Sequence, residues 1–190
     1  MSKFLFLMSH IGSGSSRLFD SLSNSDSIHG FRTEIVYDSP ESLQHLQNNF
    51  HKNDNKASVW MDELLHNFRL TCKPLCKTCQ LVFLFGDPHE SIEEIAKTYP
   101  SYEALNYYRF RLQGMLEYIA RTPGCLIFTW DRIEFEGLQS LERALMIRAP
   151  LTAPTRPKST EKRLSLDVYK EAELIYDRLC FKLKALEKRC

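Results

Sequence analysis

The stretch Lys3-Phe4-Leu5-Phe6-Leu7-Met8-Ser9-His10-Ile11-Gly12-Ser13-Gly14-Ser15-Ser16-Arg17-Leu18 decides the fold. From Phe4 to Met8 it is apolar without a break, the pattern of a strand buried on both faces. A turn of small residues follows, and then Leu18, Phe19 and Leu22 fall on one face of a helix. Strand, Gly/Ser turn and helix together make the layout in which backbone N–H groups and a helix N-terminus gather around an anion. Gly12 and Gly14 allow the backbone to curl. Ser13, Ser15 and Ser16 add hydroxyl donors, and Arg17 and His10 are the sources of positive charge. The alternative reading is a flexible connector with no ligand. The loop lacks a Gly-Lys-Ser/Thr sequence, which disfavours a Walker-type ATPase or GTPase.

Working outward, the pattern alternates between strands and helices. Arg32–Tyr37 reads as a second strand. Pro40–Phe50 reads as a helix capped by Ser39, and Asn48–Lys56 as a polar loop. Val59–Leu70 places Trp60, Leu64, Leu65 and Phe68 at helical spacing. Gln80–Phe85 is the clearest strand. Asp87 and Pro88 then cap and open a helix that reaches about Tyr99. Ser101–Arg121 reads as a long helix burying Leu105, Tyr108, Leu112, Met115 and Ile119, followed by a strand at Cys125–Trp130 and a helix at Phe135–Ile147. This order predicts an α/β fold of three layers, a mostly parallel central sheet flanked by helices. Residues 1–148 form the α/β domain. Residues 149–160, with Pro150, Pro154 and Pro157, form a loop, and residues 161–190 a C-terminal helix packed on the same domain.

Composition narrows the function. The 190 residues carry 25 Lys and Arg against 24 Asp and Glu, a net charge of +1, which argues against a dedicated nucleic-acid binder. Residues 151–190 are locally basic at +4, which suits an acidic partner or, more simply, a solvated helix face. The longest apolar runs, Phe4–Met8 and Leu81–Phe85, are too short to span a bilayer or to form a signal-peptide core. With six cysteines and no secretory signal, free thiols in a reducing cytoplasm are expected.

Ile11-Gly12-Ser13-Gly14-Ser15-Ser16-Arg17-Leu18 resembles the 5′-phosphosulfate loop of the P-loop sulfotransferases. That family shows Pro, Lys or Arg, Ser, Gly, Thr and Thr or Ser after its first strand. Ser13, Gly14, Ser15 and Ser16 match the last four, while Gly12 stands at the basic position. A second resemblance lies at Leu81–Ser91. The family ends a strand in Arg-Asp/Asn-Pro before a helix whose Ser serves the 3′-phosphate. Asp87 and Pro88 match, Gly86 replaces the Arg, and Glu94 falls at the Ser position with Ser91 one turn earlier. The order of elements over residues 3–147 carries the rest of the likeness.

The resemblance implies a sulfotransferase-like protein using 3′-phosphoadenosine 5′-phosphosulfate (PAPS) as donor, a hydroxyl or amine acceptor, and no metal. Gly12, Ser13, Gly14, Ser15, Ser16, Arg17, Asp87 and Ser91 are the expected cofactor-binding residues. Glu34 and His10 are the candidate bases for deprotonating the acceptor. Arg109 and Arg111 are candidate replacements for the missing cations. The alternatives are a catalytically inactive module of this fold, which the glycines at 12 and 86 favour, and an atypical nucleotide kinase. A protein partner is compatible with either form.

Two further features have competing readings. Cys72-x-x-x-Cys76-x-x-Cys79 has the spacing of a three-thiolate [4Fe–4S] site, or of a zinc site completed by His66, or is a set of unligated thiols, the simplest reading. Tyr99, Tyr102, Tyr107, Tyr108 and Phe110 around Arg109 and Arg111 suit base stacking, but at helical spacing core packing is the better reading. No HExxH or GxSxG pattern occurs.

Overall fold

In the computed structural model, residues 4–24, 28–32, 57–62, 80–129, 138–145, 151 and 163–187 are described. Strand β1 (Phe4–Met8) leads through the Gly/Ser turn into helix α1 (Ser15–Ser23), and strands β2 (Ile28–Arg32), β3 (Ala57–Asp62) and β4 (Gln80–Phe85) follow. Helices α2 (Pro88–Ala96) and α3 (Ser101–Ile119) precede β5 (Leu126–Thr129), and α4 (Leu138–Leu145) and α5 (Leu166–Glu187) complete the order. The five strands form one sheet in the order β2-β3-β1-β4-β5, with every pairing parallel.

β1 and β4 lie side by side in the interior of this sheet, with Leu5 opposite Gln80 and Met8 opposite Phe83. Their unbroken apolar sequence has a direct cause: both faces are covered, so neither set of alternating side chains meets water. Leu5, Leu7, Val82 and Leu84 point to one face, where they pack with Leu18, Phe19 and Leu22 of α1, Leu141 of α4 and Leu151. Phe6, Met8, Leu81, Phe83 and Phe85 point to the other, against Ile92 and Ile95 of α2, Tyr108, Leu112 and Met115 of α3, and Tyr169, Ala172, Ile175, Leu179 and Leu183 of α5. The expected three layers are therefore present among the described residues.

α2 begins as its sequence dictates. The Asp87 carboxylate accepts hydrogen bonds from the backbone N–H groups of His89 at 2.8 Å and Glu90 at 3.1 Å, and Pro88 occupies the first helical position. α3 buries Tyr108, Leu112, Met115 and Ile119 as expected, but Ala104 takes the innermost place in its first turn and Leu105 is only half-buried. In α5 the apolar residues divide: Tyr169 and Leu183 are buried, whereas Leu166 and Leu174 face solvent.

Two expectations are corrected. Residues 57–62 form a strand inserted between β2 and β1, not the start of a helix over Val59–Leu70. The Val-Trp-Met run suits either conformation over so short a length, and the ladder to β1, with Phe4 opposite Ser58 and Met8 opposite Asp62, decides it. The second strand begins at Ile28, not Arg32. Ile-His-Gly-Phe-Arg carries little alternation, and pairing of Ile28–Arg32 with Ala57–Met61 fixes it from outside the segment. Residues 33–37, the helix expected over 40–50 and most of the loop expected over 149–160 lie outside the described residues.

Strand order also locates a crevice. From β1 the chain proceeds through α1 to β2 at one edge, and from β4 through α2 and α3 to β5 at the other. The connections leaving the carboxyl ends of β1 and β4 therefore diverge to opposite faces. Ligands bind in open α/β sheets at such a switch point.

Candidate functional site

Two loops occupy that crevice, one following β1 and one following β4. The first turns sharply through Gly12 (φ +74°) and Gly14 (φ +82°). Both lie in the left-handed region that glycine enters without steric cost. Ser13 N–H bonds back to the His10 carbonyl at 3.0 Å, and the Ser13 hydroxyl accepts from Ser15 N–H at 3.3 Å. Gly14 is the N-cap of α1 and supplies no side-chain cap, and the first turn of that helix contains no acid. The Ser13 hydroxyl thus takes the first N–H of α1, and the partial positive charge of the helix start meets no acid in its own first turn.

The second loop presses against the first. A Cβ placed on Gly86 would lie 2.4 Å from the Ser13 Cα, and one on Gly12 would lie 2.6 Å from the Ser91 Cα. The Ser91 hydroxyl sits 2.7 Å from the Asp87 carbonyl and 3.2 Å from the Gly12 carbonyl, tying α2 to the loop after β1. Gly86 packs against Ser13 and the Gly12 carbonyl of the first loop, and Gly12 packs against the first turns of α2, so at each position neighbouring backbone fills the space a side chain would need.

His10 locks the same junction from below. It is fully buried, and its ring lies edge-on to Tyr108 with centroids 5.6 Å apart. Gly86 N–H can only donate, so Nε2, 3.3 Å away, accepts from it. Nδ1 then carries the proton and donates to the Ile11 carbonyl at 3.0 Å. Burial, with a smaller push from the Arg111 charge and against the pull of the Ile11 carbonyl, lowers the pKa to about 4. The sequence places His10 beside the loop as a base. In the fold both of its ring nitrogens are engaged internally, so it positions the two loops instead of meeting an acceptor.

Above the junction opens a cleft of about 680 Å³, lined by Ile11, Gly12, Gly14, Ser15, Ser16 and Arg17 on one side. Facing them are Glu90, Glu93, Glu94, Ala96 and Lys97 of α2, with Arg163 and Leu164 from the segment ahead of α5. Arg17 pairs with Glu90 at 3.0 Å across the cleft, and Lys97 pairs with Glu94. Glu93 accepts from the Arg163 backbone N–H at 2.7 Å and from the Tyr169 hydroxyl. Burial alone would raise the Glu93 pKa, but these hydrogen bonds outweigh it and hold the carboxyl below its usual range. Burial and the Glu93 contact push the Tyr169 phenol up.

The expected site residues therefore separate into two groups. Gly12, Gly14, Ser15, Ser16 and Arg17 line the cleft, whereas Ser13, Asp87, Ser91 and His10 build the framework beneath it. Glu34, Cys72, Cys76, Cys79 and His66 lie outside the described residues. Arg109 pairs with Glu171 at 2.7 Å, and the Arg111 guanidinium stands 5.9 Å from the Tyr107 ring centre. Neither lines the cleft. Glu90, Glu93, Glu94, Lys97 and Arg163 were missed as site residues. The i, i+3, i+4 spacing of the three glutamates put them on one face of α2, but which face meets the loop after β1 is a tertiary fact. Arg163 gives no signal in the sequence at all.

Among the described residues, no group of three or more His, Cys, Asp or Glu side chains converges to hold a metal ion. None of the described helices is long and apolar enough to cross a membrane. A scan of protein-family models finds no match to the chain, and a search of curated proteins finds none.

Proposed function

We propose that this chain is a sulfotransferase-like protein that takes PAPS in the cleft, with the 5′-phosphosulfate at the N-terminus of α1. One observation carries the reading: the turn after β1 delivers the start of α1, with Gly14, Ser15, Ser16 and Arg17 and no acid in its first turn, into a cleft at the switch point of a parallel sheet. The cleft volume falls within the range of about 300–1,000 Å³ typical of small-molecule sites. In transfer, the acceptor oxygen or nitrogen forms its bond to sulfur as the bond from sulfur to the 5′-phosphate oxygen breaks, and adenosine 3′,5′-bisphosphate leaves. The acceptor proton passes to a base, for which Glu34 remains the candidate. The loop contributes positioning and backbone donors aimed at the departing phosphate.

A second reading, a binding module of the same fold without transfer activity, is favoured by the crowding at Gly12 and Gly86. Where the resembled family carries two basic residues, this chain has two glycines with no room for a side chain.

Calorimetric titration with adenosine 3′,5′-bisphosphate, with ATP as competitor, tests the proposal. Saturable binding at micromolar concentration is expected, abolished by Gly14→Val with an unchanged circular-dichroism spectrum. Absence of binding below millimolar concentration refutes it, and preference for ATP supports a nucleotide kinase instead. Binding without sulfuryl transfer to any hydroxyl or amine acceptor selects the second reading.

A further inference from the structure

Arg17 is the cation nearest in sequence to the start of α1, and its partner is internal. Its guanidinium is 3.0 Å from the Glu90 carboxylate, with the two side chains only 29% and 22% exposed. Both residues line the cleft. Each stands in the first turn of its own helix, Arg17 in α1 and Glu90 in α2, so the pair spans the two loops that Ser91 and His10 join from below. The backbone around Glu90 is fixed, since its N–H is one of the two that Asp87 caps. The carboxylate thus occupies, from within the protein, the face of Arg17 that an anionic ligand at the α1 N-terminus would use.

We propose that Glu90 is an internal counter-ion that competes with the ligand for Arg17 and so sets the affinity and anion selectivity of the cleft. The inference deepens the reading of the cleft as a phosphosulfate site and rests on it. A ligand anion must draw Arg17 away from Glu90 and then tolerate the released carboxylate at short range, where partial burial weakens solvent screening. A doubly charged terminal phosphate can do this by forming two hydrogen bonds to the guanidinium, whereas a singly charged carboxylate offers Arg17 nothing that Glu90 does not already provide.

The test is calorimetry of the full chain and its Glu90→Gln variant, in metal-free buffer at fixed ionic strength, with three probes: adenosine 3′,5′-bisphosphate, inorganic pyrophosphate and acetate. The amide removes the negative charge while keeping the shape of the side chain. The variant is expected to bind both phosphate probes about tenfold more tightly, and to have lost part of the original protein's discrimination against acetate. Glu90→Ala should repeat the gain if the amide disturbs local packing, and thermal unfolding checks that each variant is folded. If pyrophosphate gains affinity while the nucleotide binds neither protein, the nucleotide reading falls and the role of Glu90 stands. Affinity for pyrophosphate that is unchanged or weakened in both variants overturns the proposal.

Discussion

Replacing the buried imidazole of His10 with a side chain that cannot titrate isolates one well-defined electrostatic term. The ring is fully buried, and its pKa is held near 4 against an ordinary 6.5. A proton on Nε2 would confront the Gly86 N–H that this nitrogen now accepts, and the Arg111 charge adds to the cost. Between pH 6.5 and 4 the unfolded chain therefore binds a proton that the folded chain refuses, and stability falls as the pH falls. Above pH 6.5 both states are neutral at this site and His10 contributes no slope. Within the window the slope approaches about 1.4 kcal/mol per pH unit, and the total reaches about 3 kcal/mol. That is a large share of the ~5–15 kcal/mol by which a domain is stable. The assay is urea unfolding at intervals from pH 7.5 to 4.5 for the original protein and for His10→Gln, whose amide oxygen can still accept from Gly86. The variant loses stability at pH 7 through the Ile11 contact but gains relative to the original on acidification. Two stability curves that stay parallel within about 0.5 kcal/mol would show that His10 titrates like an exposed histidine, and the account of the loop junction would be refuted.

Two other measurements probe the same junction. Gly86→Ala is expected to cost about 1–3 kcal/mol, because its Cβ would meet the Ser13 backbone at 2.4 Å and one of the two loops must move. Gly114→Ala serves as the control: nothing lies within 4 Å of its Cβ position, so in the interior of α3 it should stabilise by about 0.5–1 kcal/mol. A smaller cost at Gly86 than this gain, in denaturant midpoints, removes the steric argument. Asp87→Ala deprives His89 and Glu90 of their shared acceptor and should cost about 1 kcal/mol in thermal unfolding. An effect below about 0.3 kcal/mol would show that water replaces the cap.

Much of the architecture was legible in the residue pattern. The apolar runs Phe4–Met8 and Leu81–Phe85 could only be strands buried on both faces, and Asp87-Pro88 could only open a helix, because capping and burial act through nearest neighbours in the chain. β2 and β3 were not legible in this way. Ile28–Arg32 and Ala57–Asp62 are too short and too mixed in character to declare a conformation, and they are strands because β1 offers an unpaired edge to which β3 and then β2 can add.

The site divides along the same line. The Gly/Ser turn, with its helix start and its serines, was evident from residues 11–17, since the conformational freedom of glycine and the capping needs of a helix are local properties. By itself the sequence determined that a Gly/Ser turn and the start of a helix follow the first buried strand. Only the tertiary structure decided what faces it. It brings Glu90, Glu93, Glu94 and Arg163 around the cleft from segments more than 70 residues away, withdraws His10 into the core, and sets Gly12 against α2 and Gly86 against Ser13. Charge and shape at a cleft are sums over elements that meet only when the sheet closes, and no local pattern encodes which face of α2 turns toward the loop after β1.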